Sequence, residues 1–327
     1  MRHDIVLLDG FRGLLARHLV EFVGDDLAAI GRRAGALKEA LTSGPGLSNG
    51  VVEARVVVEE RSQDALWALR KKGVGLLAKT PGFRRPVAFV EDTVVPPEVL
   101  GEYVARFRAL LDEAGVRYGM FGHVDAGVLH VRPALDMKDP AQAAMVRPIS
   151  DAVAELTQRY GGLLWGEHGK GVRSEYAPAF FGELYPSLQA LKHACDPHNQ
   201  LNPGKIATPL GSDEALLKID EVVMRGDLDR QIDEPVWQSY GSAVHCNGNG
   251  ACYNFDPNDA MCPSWKATGD RRHSPKGRAA LTREWLTRLS DAGAAPGNER
   301  SRPAGLPRKL INSLRARRGE PDFSHAV

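Results

Sequence analysis

Two histidines on either side of a glycine-containing bend are the first residues in this sequence that could do chemistry. In GHVDAGVLH, residues 122–130, His123 and His130 lie seven positions apart with Gly127 between them. Because neutral imidazole is a common ligand of zinc and similar divalent ions, two rings that converge across a tight bend could share one ion. The alternative, two loop histidines hydrogen-bonded to the backbone, stays open from spacing alone.

A carboxylate for the same ion occurs farther along the chain. The segment GEHGKG places Glu167 and His168 between glycines, which tolerate positive φ and close backbone approach. Two imidazoles and one carboxylate leave a coordination position open, which is typical of catalytic rather than structural metal sites. Arg132, two residues after His130, could hold a substrate carboxylate through two hydrogen bonds or form a structural ion pair.

The cysteines form a second candidate site. Three of the four cysteines in the chain lie close together in the sequence: Cys246, Cys252 and Cys262. The first two have the separation of the first and third cysteines in a C-x2-C-x2-C-x3-C-P iron–sulfur run, with Asn249 in place of the second. Pro263 follows the last cysteine, as in that run. The segment therefore favours part of an iron–sulfur site.

Two other interpretations of the cysteine segment remain. One is a zinc site completed by His245 or His273, and the other is a set of reduced thiols without metal. The fourth cysteine, Cys195, stands alone at the end of a predicted helix and is expected to pack as a small apolar residue. Few and clustered cysteines suit a reducing cytoplasm.

Hydrophobic periodicity indicates the elements that must position these residues. β-branched and alternating stretches predict strands at 51–60, 85–95 and, around a bend, 117–135. Apolar residues at helical spacing predict these helices: 17–42, 62–77, 96–115, 139–162, 184–195 and 282–289. We expect an α+β fold, mostly an antiparallel sheet with helices on one face in ferredoxin-like repeats, followed by a small helical cysteine-bearing segment.

Composition limits the classes of function. The chain has 327 residues and a formal net charge of +1, so attraction to nucleic acid is not a property of the whole chain. Its apolar runs are too short to cross a bilayer. The segments divide into an unplaced N-terminus, a main domain, a connector, a cysteine segment and a flexible basic linker: 1–18, 19–210, 211–245, 246–289 and 290–327.

Three motifs together resemble a known family. GHVDAGVLHVRPALD, GGLLWGEHGKGVRSEY and DPHNQLNPGK are similar to the C-terminal domain of FAD-linked oxidases of the vanillyl-alcohol oxidase type. The segment that begins CNGNGACYNF and continues to residue 279 resembles the iron–sulfur part fused to that domain in large bacterial D-lactate and D-2-hydroxyglutarate dehydrogenase-like proteins. The resemblance covers about residues 19–327.

The resemblance implies a set of roles. His123, His130 and Glu167 would hold a divalent, zinc-like ion beside FAD, and His168 would take the hydroxyl proton of a small D-2-hydroxy-acid substrate. Hydride would pass to the flavin, and electrons would continue through a [4Fe-4S] cluster to an acceptor. Arg132 is the expected carboxylate clamp. Two residues of DPHNQLNPGK are the expected cofactor contacts: Asn202 and Lys205.

The chain also departs from the family pattern. The commoner first motif is GHxGDGNxH, and here Asp125, Ala126 and Val128 replace Gly, Asp and Asn. No glycine-rich flavin loop occurs in residues 1–50, and a second iron–sulfur run expected after DFSH is not in the sequence. We therefore expect an internal piece of a longer protein that needs a separate flavin domain or a second iron–sulfur segment as partner. A catalytically incompetent fragment, an assembly subunit or a zinc-binding scaffold are the alternatives.

Overall fold

The structure is a computed structural model that describes seven stretches of the chain: residues 2–11, 14–43, 53–76, 82–169, 171–224, 226–246 and 250–291. The chain divides into two compact units, Met1–Leu76 and Leu77–Val327. The linker predicted at 290–327 lies outside the described residues apart from its first two positions, and Asn249 also lies outside them.

The first unit is a three-stranded antiparallel sheet with two helices. Its elements in chain order are β1 (Arg2–Phe11), β2 (Leu14–Gly24), α1 (Leu27–Ser43), β3 (Glu53–Val57) and α2 (Glu60–Leu76). The strand order is β2-β1-β3. Val20 and Phe22 of β2 pack against the buried Ala34 of α1, so apolar residues alternate along β2 as a half-buried strand requires.

The helix predicted at 17–42 is therefore wrong in its first part. Residues 17–24 pair with β1, and α1 begins only after Asp26, whose side chain accepts the backbone N–H groups of Ala28 at 2.8 Å and Ala29 at 3.2 Å. An aspartate in this position satisfies amide groups that the first helical turn leaves without partners. The short apolar stretch at 17–24 fits the periodicity of a helix as well as that of a strand. Pairing with β1, which the sequence did not reveal, decides for the strand.

The second unit contains the elements that form the main core. Its strands are β4 (Arg85–Pro86), β5 (Thr93–Val94), β6 (Tyr118–His123) and β7 (Val128–Leu135). Its helices are α3 (Leu100–Glu113), α4 (Pro140–Ala143), α5 (Val146–Arg159), α6 (Ala177–Phe181), α7 (Tyr185–Cys195), α8 (Glu234–Tyr240), α9 (Pro263–Thr268) and α10 (Pro275–Asp291). All described strand pairs are antiparallel, which confirms the predicted α+β class.

The strand β7 is the centre of this sheet. It pairs with β6 on one edge and with β5 on the other, while β4 pairs with its far end. The strand predicted at 85–95 thus pairs only at its two ends. Between them the chain leaves the ladder, and Phe89 and Val90 are buried in the core instead.

Helices α3 and α5 cover the sheet with one apolar face each. In α3 the buried residues Tyr103, Phe107 and Leu111 recur every fourth position and therefore share a face. Full burial of side chains of this size stabilises the fold by about 1.5–3 kcal/mol each. A smaller cluster holds α8 against α10 through Trp237, Leu286 and other residues.

Candidate functional site

The hairpin of β6 and β7 brings the two histidines to one face of the sheet. Phe121 lies opposite His130 and His123 opposite Val128 in the antiparallel register. Because side chains alternate between faces along a strand and paired residues share a face, His123, His130 and Arg132 all project on the same side. The His123 and His130 rings lie 5.9 Å apart, centroid to centroid.

Two glycines make this hairpin sterically feasible. A Cβ atom at Gly122 would lie 2.0 Å from the carbonyl oxygen of Val128, and one at Gly127 would lie 1.8 Å from that of Val95. Gly127 also has φ of +69°, which side-chain-bearing residues rarely adopt. The bend is therefore built for glycine at both positions, and it sets the distance between the two strands that carry the imidazoles.

Two adjacent acidic residues enter the site from the other edge of β7. Glu91 and Asp92 directly precede β5, and the amide of Asp92 donates to the carbonyl of Leu129 at 3.0 Å. Asp92 has φ of +73°, so strand alternation is interrupted and both neighbouring carboxylates reach the same site. Both residues are buried. We did not predict them, although a pair of charges inside the apolar run VAFVEDTVV was a signal.

Asp92 holds the backbone of the segment that carries Glu167 and His168. The segment runs beside β5, with Gly166 donating to the carbonyl of Asp92 at 2.9 Å. The Asp92 carboxylate then accepts the amide of Glu167 at 3.0 Å and 3.2 Å and the amide of His168 at 2.9 Å. Hydrogen bonds to a carboxylate are stronger than those to a neutral acceptor, so they fix the backbone positions of Glu167 and His168.

Glu167 bridges the two imidazoles of the hairpin. Its Oε1 lies 3.5 Å from His123 Nε2, and its Oε2 lies 3.4 Å from His130 Nε2. His168 stacks on His130, with ring centroids 4.9 Å apart and the planes 13° from parallel. The structure thus gathers four residues that the sequence analysis singled out separately. Their assignment as ligands and base stays a prediction.

The donor atoms fit a divalent cation. One atom each from Asp92, His130, Glu167 and His168 lies within 4.8 Å of the other three. This group contains two of the three predicted ligands, and His123 reaches it through its 3.5 Å contact with Glu167. His130 is 3 % exposed, and its Nδ1 has no hydrogen-bond partner in the part of the chain that the structure describes. Burial lowers the pKa of His130, which favours the neutral imidazole that coordinates metals. A carboxylate between imidazoles beside an unsatisfied buried nitrogen is a donor set of the kind that zinc-like ions prefer.

Arg132 is engaged by Glu91. Its Nε donates to Glu91 Oε2 at 3.0 Å, and a terminal nitrogen lies 2.9 Å from the same oxygen. The guanidinium also lies over the ring of Phe121, 5.5 Å from the centroid. The other oxygen of Glu91 lies 3.1 Å from His168 Nδ1. Of the two roles considered for Arg132, the structural ion pair is present, and a substrate contact would have to use the remaining donors.

A second arginine lies behind the site. Arg173 is 3 % exposed and donates to the carbonyl oxygens of Glu91 and Leu164. It therefore links the segment that contains Glu91 to the segment that leads to Glu167. Burial lowers the pKa of Arg173 to about 10, which leaves it charged at neutral pH. Among the described residues, the three carboxylates of Glu91, Asp92 and Glu167 thus face two guanidiniums. A divalent cation would change this excess of one negative charge into one positive charge.

Asn202 and Lys205 lie in a turn next to this cluster rather than within it. The amide of Ile206 donates to Ser174 Oγ at 2.7 Å, and the Lys205 Cβ would lie 2.8 Å from a Cβ at Gly171. The turn therefore packs on the segment that follows His168. Asn202 is exposed with φ of +53°, a conformation that asparagine tolerates.

The three clustered cysteines do not form a ligand group among the described residues. None is in a disulfide, and Cys262 is buried with its Sγ 3.2 Å from the carbonyl oxygen of His273. Of the histidines considered for a zinc site, His245 lies 2.6 Å from an Arg85 nitrogen and His273 lies 3.0 Å from Thr268 Oγ1. Metal binding by Cys246, Cys252 and Cys262 remains a prediction. Within the described residues no helix combines the length and apolarity needed to cross a membrane.

Comparison with known proteins finds one matching family and several similar dehydrogenases. The model of the family "FAD linked oxidases, C-terminal domain" matches residues 15–206. A D-2-hydroxyglutarate dehydrogenase of Pseudomonas putida is 60% identical over 326 residues, which is 98% of this chain and 32% of that protein. The corresponding enzyme of Escherichia coli is 53% identical, over 96% of this chain and 32% of that protein.

More distant relatives match a smaller part. A D-lactate dehydrogenase of Archaeoglobus fulgidus is 29% identical over 164 residues, which is 50% of this chain and 35% of that protein. The chain thus spans about a third of the length of the curated relatives it matches.

Proposed function

Because the chain belongs to the C-terminal domain family of FAD-linked oxidases, we propose that it is the substrate-binding part of an FAD-dependent D-2-hydroxy-acid dehydrogenase. We take D-2-hydroxyglutarate as the substrate, since the relatives of that name align over nearly the whole chain. The observation that carries the proposal is Glu167, whose two oxygens each face one imidazole of the β6–β7 hairpin.

His123, His130 and Glu167 would hold the divalent cation. When bound, the ion supplies Lewis-acid polarisation of the substrate hydroxyl and carboxylate, and FAD supplies the hydride acceptor. The residues of this chain support that chemistry by position. Asp92 holds the backbone of Glu167, and the buried His130 presents a neutral ring.

His168 is the proposed proton acceptor. Its ring lies against His130, and its Nε2 lies 3.9 Å from Glu167 Oε2, beyond hydrogen-bonding distance. A substrate hydroxyl at the cation would therefore lie next to an imidazole nitrogen that no donor among the described residues occupies. General-base assistance of this kind contributes about 10²–10⁴-fold to a rate.

Charge supports a dicarboxylate substrate. With a divalent cation the cluster carries an excess of one positive charge, and the partly exposed Arg132 lies at its edge. A second carboxylate, which D-lactate lacks, would use donors of Arg132 that Glu91 does not occupy. Lys205 and Asn202, in the turn that packs behind Gly171, are proposed to contact the flavin.

The cysteine segment is the proposed exit for electrons. Cys246, Cys252 and Cys262 would contribute to a [4Fe-4S] site whose remaining ligands come from elsewhere in the longer protein. The C-P ending at Cys262 and Pro263 supports this assignment over zinc. A zinc scaffold completed by His245 or His273 is the alternative, and analysis for iron, acid-labile sulfide and zinc distinguishes the two.

The function can be tested in a complete protein. This chain would replace the matching 326-residue segment of the Pseudomonas putida relative, and the chimera would be assayed with D-2-hydroxyglutarate, D-lactate and their L-isomers. We expect oxidation of D-2-hydroxyglutarate with a lower KM than for D-lactate, and Arg132→Gln should raise the KM for the diacid more than for D-lactate. A folded, flavin-loaded chimera that oxidises none of the acids would refute the proposal.

A further inference from the structure

The buried carboxylate of Glu91 lies between two nitrogen-bearing side chains that point to different oxygens. Arg132 donates to Oε2 through Nε at 3.0 Å, with a second nitrogen at 2.9 Å. His168 Nδ1 lies 3.1 Å from Oε1. The side chain of Glu91 is 4 % exposed, so water has little access to either interaction.

We propose that Glu91 is a positioning residue that selects the tautomer of His168. A carboxylate offers only acceptors, so the contact requires the imidazole proton on Nδ1. The proton-free nitrogen is then Nε2, on the side of the ring that faces Glu167. Asp92 Oδ1 lies 4.0 Å from His168 Nδ1, too far to compete for that proton. The role in turnover rests on the proposed function, whereas the tautomer does not.

Arg132 contributes to this selection through its chemistry. A guanidinium has donors only, so the residue at position 91 must offer it an acceptor oxygen. In Glu91→Gln the amide has one acceptor and one donor group. Arg132 would take the amide oxygen, and the NH₂ group would face His168 Nδ1. The histidine would then have to accept at Nδ1 and carry its proton on Nε2, which is the opposite tautomer.

The tautomer can be observed directly. The chain would be labelled with ¹⁵N-histidine, freed of metal with a chelator and held at about pH 8.5, well above the ordinary imidazole pKa of about 6.5. Two-bond ¹H–¹⁵N correlation distinguishes a protonated from an unprotonated ring nitrogen, and loss of one of the signals in His168→Asn identifies the residue. We expect Nδ1–H in the natural chain and Nε2–H in Glu91→Gln.

A matched variant separates this role from a packing role. Arg132→Met removes the competing donor and leaves Glu91 acceptor-only, so the Nδ1–H tautomer should persist. Nε2–H in the natural chain, or the same tautomer in the natural chain and in Glu91→Gln, would overturn the proposal. The first result does not require any variant to fold.

Activity gives a second and independent measurement. In the Pseudomonas putida chimera, Glu91→Gln should lower kcat by about 10²-fold or more, with a much smaller effect on KM, because the wrong nitrogen would face the hydroxyl. A kcat within twofold of the natural sequence contradicts the role in turnover. A chimera that fails to oxidise hydroxy acids although His168 is protonated on Nδ1 refutes the proposed function and leaves the tautomer assignment intact.

Discussion

The carboxylate of Asp92 accepts the backbone N–H of His168 at 2.9 Å, although the two residues are 76 positions apart in sequence. The same carboxylate accepts the amide of Glu167. One buried side chain thereby joins the edge of the sheet to the segment that carries two of the proposed functional groups. The geometry of the candidate metal site depends on this link as well as on the ligands themselves.

Removal of the Asp92 carboxylate should therefore affect both stability and metal affinity. In Asp92→Ala we expect the free energy of unfolding to fall by about 1–3 kcal/mol, since amides that bonded to a charged acceptor lose it. Asp92→Asn keeps one acceptor oxygen and tolerates the positive φ, so the free energy of unfolding should fall by less than in Asp92→Ala. Denaturant unfolding measures both, with the exposed Asp125→Asn as control. Equal stability of Asp92→Ala and Asp125→Asn would contradict the anchoring role.

The ligand assignment predicts a loss of zinc binding. His123→Ala combined with Glu167→Ala should abolish uptake of one zinc equivalent by the second unit, because the bridging carboxylate and one imidazole are removed together. Calorimetric titration and elemental analysis report the stoichiometry. His193→Ala, an exposed histidine in the last turn of α7, is the matched control and should bind as the natural chain does. Unchanged zinc content in the double variant would rule out these ligands.

The hairpin bend predicts different outcomes at two glycines with similar backbone angles. Gly127 and Gly115 have φ of +69° and +66°, but only at Gly127 does an added Cβ meet a backbone oxygen, at 1.8 Å. Gly115→Ala should cost about 1–2 kcal/mol for the left-handed conformation alone. Gly127→Ala adds about 1–3 kcal/mol for the forced shift of the chain. Thermal unfolding compares them, and equal losses would contradict the steric argument.

The pH dependence of stability should reflect Asp196, which begins the turn that leads to Asn202. Lys192, followed by the amides of Leu201 and Gln200, lowers the pKa of Asp196 to about 2 in the folded chain, from an ordinary value of 3.8. Because the pKa is lower in the folded chain, the contribution of Asp196 to stability is complete above its ordinary pKa. That contribution disappears as the pH falls through about 2.

The stability difference between the natural chain and Asp196→Asn should accordingly be constant above about pH 5 and shrink steadily below about pH 4. Urea unfolding at a series of pH values measures it. Asp213→Asn, at an exposed position of the same region, should show no such trend. A difference that grows on acidification would show that the sign assigned to Asp196 is wrong.

The cysteine segment predicts metal binding that depends on three of the four thiols. After anaerobic treatment with iron and sulfide, Cys246→Ser and Cys252→Ser should bind less iron than the natural chain, because both supply thiolates. Cys195→Ser, an exposed cysteine at the end of α7, should bind as much as the natural chain. Zinc without sulfide in the natural chain would favour the scaffold alternative instead.

Local sequence was sufficient for several features of this protein. The α+β class, the β6–β7 hairpin and the helices around Tyr103 and Val153 follow from periodicity and from glycine and proline positions, which act over a few residues. The residue types at His123, His130 and Glu167 predict metal binding, although spacing alone left hydrogen-bonded loop histidines as an alternative.

Other features depend on contacts between distant parts of the chain. The β-strand at residues 14–24 depends on pairing with β1, and the roles of Glu91 and Asp92 depend on the segment around His168 lying beside β5. Adjacent residues in a regular strand would point to opposite faces, so only the positive φ of Asp92 allows both carboxylates to reach one site. Residue types thus supply the candidate donors. Strand pairing and long-range hydrogen bonds, which no local pattern encodes, bring Asp92, His130, Glu167 and His168 within 4.8 Å of one another.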